Sequence, residues 1–267
     1  MKNTKDSDLF GGTYEYYLKY RPGIPEEVAD KILKGFDVGR KDRILDIGCG
    51  TGQVAIAIDG KCQNMVCIDS DPDMIELAKK VLKKPVSKIS WLNYGSEELS
   101  RLKGQGLFKV ATICRAFHWM DQDQVLSDLD DLITRDGGIA IFGDGSIWTG
   151  KEEWQLAVKK VVQKYLGEER RAGKKKFKLP SEAWTEIISR SRFDHIRQEE
   201  VRVKRNWDVE SIVGWLFSSS FASPKLFGNR IESFKKDIER ELLLLNPKRI
   251  FEENAVFSII LASRKEF

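Results

Sequence analysis

Short apolar runs alternate with helical patterns along the first half of the chain, and this alternation constrains the fold most strongly. Each of five apolar runs is followed by a segment with helical spacing. Strands that alternate with helices form βαβ units, which predicts a parallel sheet with helices on both faces. The predicted strands are Arg43–Ile47, Met65–Asp69, Lys88–Leu92, Lys109–Cys114 and Ile139–Phe142.

Helix boundaries in this half depend on caps and turn residues. A helix is predicted over Pro72–Lys84, with Ser70 or Asp71 as its N-cap. Another is predicted over Gln124–Thr134, where apolar residues recur at helical spacing. Residues 136–138 (DGG) are then predicted to turn the chain into the fifth strand.

The apolar pattern of the second half predicts further helices, a sixth strand near 196–205 and a last strand over 254–267. Together with the first half, this order predicts an α/β fold. Its core would be a seven-stranded, mostly parallel sheet with helices on both faces and a helical cap formed by late insertions.

Positive charge is concentrated in one segment of this 267-residue chain, whose formal net charge is +4. Residues 1–150 contain 20 Lys and Arg against 23 Asp and Glu, a net charge of −3. Residues 151–205 contain 16 against 9, a net charge of +7, and residues 206–267 contain nine of each. Such a segment is a solvated basic surface or a binding surface for an acidic partner such as nucleic acid.

Cysteine and histidine usage favours neither a metal site nor a disulfide framework. Cys49, Cys62, Cys67 and Cys114 form no CxxC pair, and the chain has two histidines, so no metal is expected and the thiols are expected to be reduced. The apolar runs are too short to span a bilayer, and the N-terminus has no apolar signal region. We therefore expect a cytoplasmic location and no membrane partner.

The segment ILDIGCGTGQ, residues 44–53, carries the strongest functional signal. Asp46 lies near the carboxyl end of the first predicted strand, and three glycines follow it in a turn without side chains. The backbone can approach a ligand closely there, and the next helix directs its N-terminus at the same crevice. A dinucleotide fingerprint requires G-x-G-x-x-G, but Gln53 stands at its third glycine and Asp46 would disfavour a pyrophosphate.

The pattern D-x-G-x-G-x-G that begins at Asp46 closely resembles motif I of class I S-adenosylmethionine-dependent methyltransferases. The second strand ends in Asp69, where that family has an acidic residue that accepts hydrogen bonds from both ribose hydroxyls. The resemblance implies S-adenosylmethionine as the cofactor and S-adenosylhomocysteine as its product. The cofactor-binding residues that it implies are Tyr17, Arg21, Asp46, Gly48, Gly50, Gln53, Asp69, Ser70, Met74, Ser96, Glu97 and Arg115.

Two further segments resemble the trans-aconitate-methyltransferase-like small-molecule methyltransferases. YGSEEL, residues 94–99, is similar to the family's loop after the third strand, which places Ser96 and Glu97 beside the adenine. Gly95 replaces the usual acidic residue, and acidic residues at a helix N-terminus are the alternative interpretation. CRAFHWMD, residues 114–121, is similar to the family's A-x-H-W-x-D segment.

The N-terminal leader extends the resemblance. Phe10, Tyr17, Arg21 and Pro22 match the family pattern F-x6-Y-x3-R-P, a segment that folds over the cofactor in those proteins. Tyr17 and Arg21 would then bind the methionine carboxylate, for which a guanidinium is well suited. A surface turn held by prolines is the alternative.

His118 and Arg115 are candidates for contact with the acceptor. His118 follows the fourth strand and could act as a general base, or it could bind backbone groups and shape the pocket. Arg115 could bind an acidic substrate or approach the cofactor, and an ion pair with an acidic residue after Asp121 is its alternative. His195 is interpreted as structural.

These observations predict a methyltransferase that modifies a carboxylate or hydroxyl oxygen of a small molecule. The resemblance and the order of elements predict a leader over residues 1–35, a Rossmann-like cofactor-binding core over 36–145, a cap or substrate region over 146–253 and the last core strand over 254–267. The [DN]-P-P-[YF] motif of many nucleic-acid N-methyltransferases is absent, so nucleic acid is not the expected partner. An RNA or protein methyltransferase that uses the basic segment, and a non-catalytic cofactor-binding protein, remain alternatives.

Overall fold

The computed structural model describes residues 13–172, 175–176 and 182–265, and every structural statement below refers to them. The first half contains α1 (Tyr14–Tyr20), α2 (Glu26–Gly35), β1 (Arg43–Ile47), α3 (Gln53–Ile58), β2 (Asn64–Ile68), α4 (Pro72–Val81), β3 (Lys88–Leu92), β4 (Phe108–Cys114), α5 (Gln122–Asp130) and β5 (Ile133–Asp144). The second half contains α6 (Glu153–Leu166), β6 (Arg171–Ala172), β7 (Lys175–Lys176), α7 (Trp184–Ser189), β8 (His195–Trp207), α8 (Val209–Phe217), α9 (Ile231–Leu245) and β9 (Phe251–Ser263). Short 3₁₀ helices cover Ser96–Leu102, Phe117–Trp119, Pro224–Leu226 and Gly228–Arg230.

Seven strands form one sheet in the order β3-β2-β1-β4-β5-β9-β8. The neighbouring pairs from β3 to β5 are parallel, and β9 pairs with β5 in the antiparallel direction. This arrangement confirms the predicted seven-stranded, mostly parallel sheet. The strand order reverses between β1 and β4, and ligands of open α/β sheets bind at the carboxyl ends of strands at such a point.

The chain divides into two compact units. Unit 1 comprises Met1–Pro22, Gly145–Leu179 and Arg202–Val256, and unit 2 comprises Gly23–Asp144, Pro180–Val201 and Phe257–Phe267. The predicted division into leader, core, cap and last strand stays a prediction.

Unit 2 contains an aliphatic core around the sheet. Leu45, Ile113 and Ile139 of three adjacent strands are fully buried, together with Leu126 and Leu129 of α5. Because side chains on both faces of the sheet are buried, these strands are apolar throughout rather than alternating.

Unit 1 contains an aromatic core. Phe227 and Phe234 stack with their ring centroids 4.0 Å apart, and helices α6, α8 and α9 supply most of the remaining side chains. Five aromatic residues of the segment predicted as a cap or substrate region are buried in this core: Trp154, Trp207, Trp215, Phe217 and Phe221. Trp184 instead packs against Phe117 in unit 2, with ring centroids 5.7 Å apart.

Residues 136–138, which the sequence predicted as a turn, lie within the bounds of β5, at a point where its register against β4 shifts between Phe108 and Val110. A Cβ atom at Gly137 would lie 2.1 Å from the carbonyl oxygen of Lys109, and one at Gly138 would lie 2.2 Å from that of Ala262. The glycines are therefore required by the close approach of two neighbouring strands rather than by a turn. Helix α5 accordingly ends at Asp130, four residues before its predicted end.

Among the described residues, no helix is both long enough and apolar enough to cross a membrane.

Candidate active site

The loop after β1 adopts a backbone conformation that favours glycine. Gly48, Gly50 and Gly52 have φ angles of +68°, +53° and +81°. A Cβ atom at Gly48 would lie 2.7 Å from the Cβ of Ala116, and one at Gly52 would lie 2.8 Å from the Trp91 ring. At Gly48 and Gly52 a side chain is therefore disfavoured both by the left-handed backbone and by the close neighbours.

Asp69 follows β2 and ties the glycine loop to the start of α4. Its Oδ2 accepts a hydrogen bond from the Gly50 amide at 2.8 Å, and its Oδ1 accepts one from the Asp71 amide at 2.9 Å. Burial raises the pKa of Asp69, and these two backbone donors oppose that effect. An ionised carboxylate has about four acceptor positions, so it can still accept further hydrogen bonds from ligand hydroxyls.

Asp46, at the end of β1, is completely buried. Its Oδ1 accepts a hydrogen bond of 2.8 Å from the Thr112 hydroxyl of β4, whereas its Oδ2 has no partner within the described ranges. Burial raises the pKa of Asp46 to about 7, and the negative charge of Asp69 acts in the same direction. A cationic ligand group near this carboxyl would favour its ionised form, so the residues fit the charged amino group of S-adenosylmethionine.

Arg115 connects three elements of this site. Its Nε donates to Asp144 Oδ1 at 2.6 Å, and its Nη1 donates to Gln53 Oε1 at 2.9 Å. These contacts join the ends of β4 and β5 to the first residue of α3. The backbone of Arg115 has a φ angle of +55°, an uncommon conformation for a residue with a side chain. The alternative interpretation of Arg115, an ion pair with an acidic residue after Asp121, is thus present, and its partner is Asp144.

The remaining predicted cofactor contacts of unit 2 differ in exposure. Met74 is buried in α4, and Ser70 is exposed between β2 and that helix. Ser96 is partly buried in the 3₁₀ helix that follows β3, and Glu97 is exposed beside it. The neighbouring Glu98 accepts the hydrogen bond from the Gly95 amide that caps this helix, at 2.9 Å.

His118 is half-buried in the short helix Phe117–Trp119, directly after β4. Its ring lies against that of Trp119, with centroids 4.6 Å apart. The side chain of His195 is 41% exposed and lies 3.9 Å from Asp194 at the start of β8. Of the two histidines, His118 is thus the one that follows the carboxyl end of β4, in a segment whose Ala116 lies against Gly48 of the glycine loop.

Tyr17 and Arg21 belong to unit 1, where the structure brings them together. The Arg21 Nε donates to the Ser218 hydroxyl at 2.9 Å, and its guanidinium carbon lies 5.2 Å from the Tyr17 ring centroid and 4.8 Å from that of Trp215. Phe10, the first residue of the predicted leader pattern, is outside the described residues.

The sequence did not identify two polar side chains that organise the site, those of Thr112 and Asp144. It also did not show that the backbone amide of Asp71 donates a hydrogen bond to Asp69. Asp144 lies two residues beyond the predicted strand Ile139–Phe142, and this position near a strand's carboxyl end is the signal that could have identified it. Thr112 is a hydroxyl within an apolar strand, and its contact with Asp46 follows from the pairing of β4 with β1.

Comparison with known proteins assigns this glycine-loop region to a family. Residues 44–137 match the family model described as a methyltransferase domain. Over these residues the chain is thus similar to methyltransferase domains. The matched segment contains the glycine loop, Asp69, Arg115 and His118.

Relatives of the methyltransferase domain are distant. The probable S-adenosylmethionine-dependent methyltransferase CRG1 of Saccharomyces cerevisiae is 26% identical over 48% of this chain and 44% of its own length. The uncharacterized methyltransferase Rv3342 of Mycobacterium tuberculosis is 24% identical over 54% of this chain and 53% of its own length. The chain thus spans about half the length of these curated relatives.

The solved structure of the YcgJ protein from Bacillus subtilis has the same fold. It superposes with a TM-score of 0.55 and 15% identity, covering 90% of this chain and all of that one (100%). At this identity the likeness concerns the fold.

Proposed function

We propose that the protein transfers the methyl group of S-adenosylmethionine to a carboxylate or hydroxyl oxygen of a small molecule. The observation that carries this proposal is the convergence of the glycine loop, Asp46 and Asp69 at the reversal of strand order, within the methyltransferase domain. When bound, S-adenosylmethionine supplies a sulfonium methyl group; its C–S bond breaks as the C–O bond forms, which leaves a neutral thioether.

The residues of unit 2 have separate roles in this proposal. Asp69 accepts hydrogen bonds from the ribose hydroxyls, and the backbone of the glycine loop, which Asp69 holds through the Gly50 amide, lies close to the rest of the cofactor. The buried carboxyl of Asp46 complements the cofactor's amino group. Arg115 holds the first residue of α3 against the end of β5, which fixes the helix beside the loop. Such preorganisation supports alignment for an in-line displacement.

His118 is the proposed general base for a hydroxyl acceptor. A carboxylate is already ionised at neutral pH and needs no base, whereas a hydroxyl must lose its proton as it attacks. The position of His118 directly after β4, beside the residues that support the glycine loop, favours this role. His118 would then take the proton at an imidazole nitrogen.

A methyl-transfer assay with matched acceptors tests this proposal. Purified protein is incubated with methyl-labelled S-adenosylmethionine and pairs of small carboxylic acids and alcohols. We expect His118→Ala to slow methylation of a hydroxyl by about 10²-fold or more and to change methylation of a carboxylate little, because general base catalysis typically contributes at least that factor. The matched control is His195→Ala, which removes the exposed histidine at the start of β8.

Two results would contradict the proposal. Equal and negligible effects of His118→Ala on both acceptor types would remove it as a base. Methylation of RNA or protein without methylation of any small acceptor would favour an enzyme that uses the basic segment 151–205.

A further inference from the structure

A groove runs between helices α6 and α9 of unit 1. The Lys164 Nζ of α6 donates to the Asp237 carboxylate of α9 at 2.6 Å, and Glu153 at the start of α6 lines the same groove as Leu245 at the end of α9. The two helices are therefore antiparallel. The groove has a volume of about 470 Å³, and a second groove of about 430 Å³ adjoins it, since Glu153 and Leu245 line both.

Exposed apolar side chains are concentrated along these two grooves. Leu244 is 73% exposed and Ile250 is 54% exposed, and Leu156 and Leu245 are also exposed. These four are among ten large apolar residues that are exposed in the described ranges. Single exposed apolar residues are normal on a protein surface, whereas a contiguous patch marks an interaction surface. We call the surface formed by these four residues with Glu153, Ala157 and Lys160 the α6–α9 face.

The charges around the α6–α9 face balance. The first groove is lined by three basic and three acidic residues, and the second adds Lys248 and Glu252. The face is thus neutral, although residues 151–205 as a whole carry a net charge of +7. Nucleic acid binding depends on an excess of positive charge, so this face does not favour such a partner.

Most of these charges are already paired within unit 1. Arg240 contacts both Asp237 and Glu241, at 2.9 Å and 3.1 Å, and Lys164 contacts Asp237. Glu153 and Lys160 are exposed, and neither makes a side-chain hydrogen bond or ion pair within the part of the chain that the structure describes. One acidic and one basic side chain of the face are therefore available to a partner.

The spacing of Glu153 and Lys160 makes the face complementary to itself. They are seven residues apart on one side of α6, which separates them by about 10 Å along the helix axis. Leu156 and Ala157 lie on either side of the midpoint between them. A two-fold axis through this midpoint would place Glu153 of each copy opposite Lys160 of the other, because a two-fold interface exchanges the contacting residues.

We propose that the α6–α9 face binds a second copy of this chain, with the two α6 helices antiparallel across a two-fold axis between Leu156 and Ala157. Helices α6 and α9 of both copies then form a four-helix arrangement around the axis. The apolar side chains supply most of the affinity, since exposed ion pairs contribute little to it. The two pairs of Glu153 with Lys160 fix the orientation of the copies.

Sedimentation velocity over an about hundredfold range of protein concentration tests this interface. We expect the mass of the wild-type protein to change from that of a monomer to that of a dimer as the concentration rises. Glu153→Lys and Lys160→Glu should each weaken dimerisation about tenfold or more, since each variant brings two pairs of like charges into the interface. An equimolar mixture of these two variants should dimerise as the wild-type protein does, because both pairs are again of opposite charge.

A second substitution tests the apolar part of the face. Leu244→Gln should weaken dimerisation about tenfold or more, because it removes the apolar area that the second copy would cover. The matched controls lie in unit 2: Val86→Gln removes an apolar side chain that is 82% exposed, and Glu200→Lys reverses an exposed charge of β8. Both controls should dimerise as the wild-type protein does. The substituted side chains are exposed, so their loss leaves no cavity, and thermal unfolding verifies that each variant is folded.

Three results would overturn the inference. A wild-type protein that stays monomeric at every concentration does not use the face for a second copy; binding of anilinonaphthalene sulfonate that Leu244→Gln abolishes would then indicate a different apolar partner. Charge-reversal variants that dimerise as the wild-type protein does would show that a dimer forms through another surface. A mixture of the two variants that stays monomeric, while the wild-type protein dimerises, would show that Glu153 and Lys160 do not face each other.

Discussion

Asp46 illustrates at the scale of one residue what a sequence pattern leaves open. The pattern identifies its position before the glycine loop, but its complete burial depends on the strands on either side of it. The same holds for the ion pair between Arg115 and Asp144, which are separated by a strand and a helix along the chain. The positions of Asp46 and Arg115 in their motifs could therefore be read from the sequence, whereas their burial and their partners Thr112 and Asp144 required the packed sheet.

Asp46 should make the stability of the ligand-free protein depend on pH. A carboxyl whose pKa is about 7 in the folded state and near its ordinary value of 3.8 in the unfolded state binds its proton more tightly when folded. The free energy of unfolding should therefore fall as the pH rises from about 4 to about 7, by at most about 1.4 kcal/mol per pH unit from this group.

Denaturant unfolding of the wild-type protein and of Asp46→Asn across this range measures the effect. Asparagine does not titrate but can accept the hydrogen bond from Thr112. We expect the difference between the two unfolding free energies to vary with pH in the stated direction. A difference that is constant from pH 4 to pH 8 would show that Asp46 has an ordinary pKa.

At the scale of elements, apolar patterning predicted type and order well and some boundaries poorly. Strands β1 and β3 coincide with their predicted bounds. The error at α5 and β5 arose because Leu132 and Ile133 are buried in the core, as either the last helical turn or the first strand residues would be. Glycines inside a strand were also taken for a turn, because the close approach of a neighbouring backbone is absent from a one-dimensional pattern.

The glycine loop allows a prediction that separates backbone strain from close packing. Gly48→Ala places a side chain at a φ of +68° and 2.7 Å from Ala116, whereas Gly104→Ala places one at a φ of +81° with no atom within 4 Å. Both variants bear the strain of a left-handed backbone, about 1 kcal/mol. We expect Gly48→Ala to lose a further 1–3 kcal/mol or so of unfolding free energy from overpacking.

Equilibrium unfolding of the two glycine variants gives the comparison directly. Gly48→Ala should also weaken S-adenosylhomocysteine binding, while Gly104→Ala should not. Equal losses of stability and unchanged binding in both would mean that the loop tolerates a side chain.

At the scale of the whole molecule, the alternation of strands and helices predicted the sheet, but the composition of the two units was not predictable. Unit 1 is assembled from three separate stretches of chain, and patterning within a segment does not show which distant segments it packs against. The aromatic residues of the predicted cap illustrate the consequence. Apolar rings at helical spacing are typical of both a core and a pocket, and five of them form a core.

The central claim, a cofactor site organised by Asp69, is tested most directly by calorimetric titration of the full chain with S-adenosylhomocysteine. We expect Asp69→Asn to weaken binding about tenfold or more, because the amide removes charge and acceptor capacity facing the ribose hydroxyls. The matched control, Asp73→Asn, changes an exposed carboxylate in the first turn of α4 and should bind as the wild-type protein does. Tight binding by the wild-type protein and the control, with a loss in Asp69→Asn, is the predicted result; equal affinity in all three proteins would contradict the account.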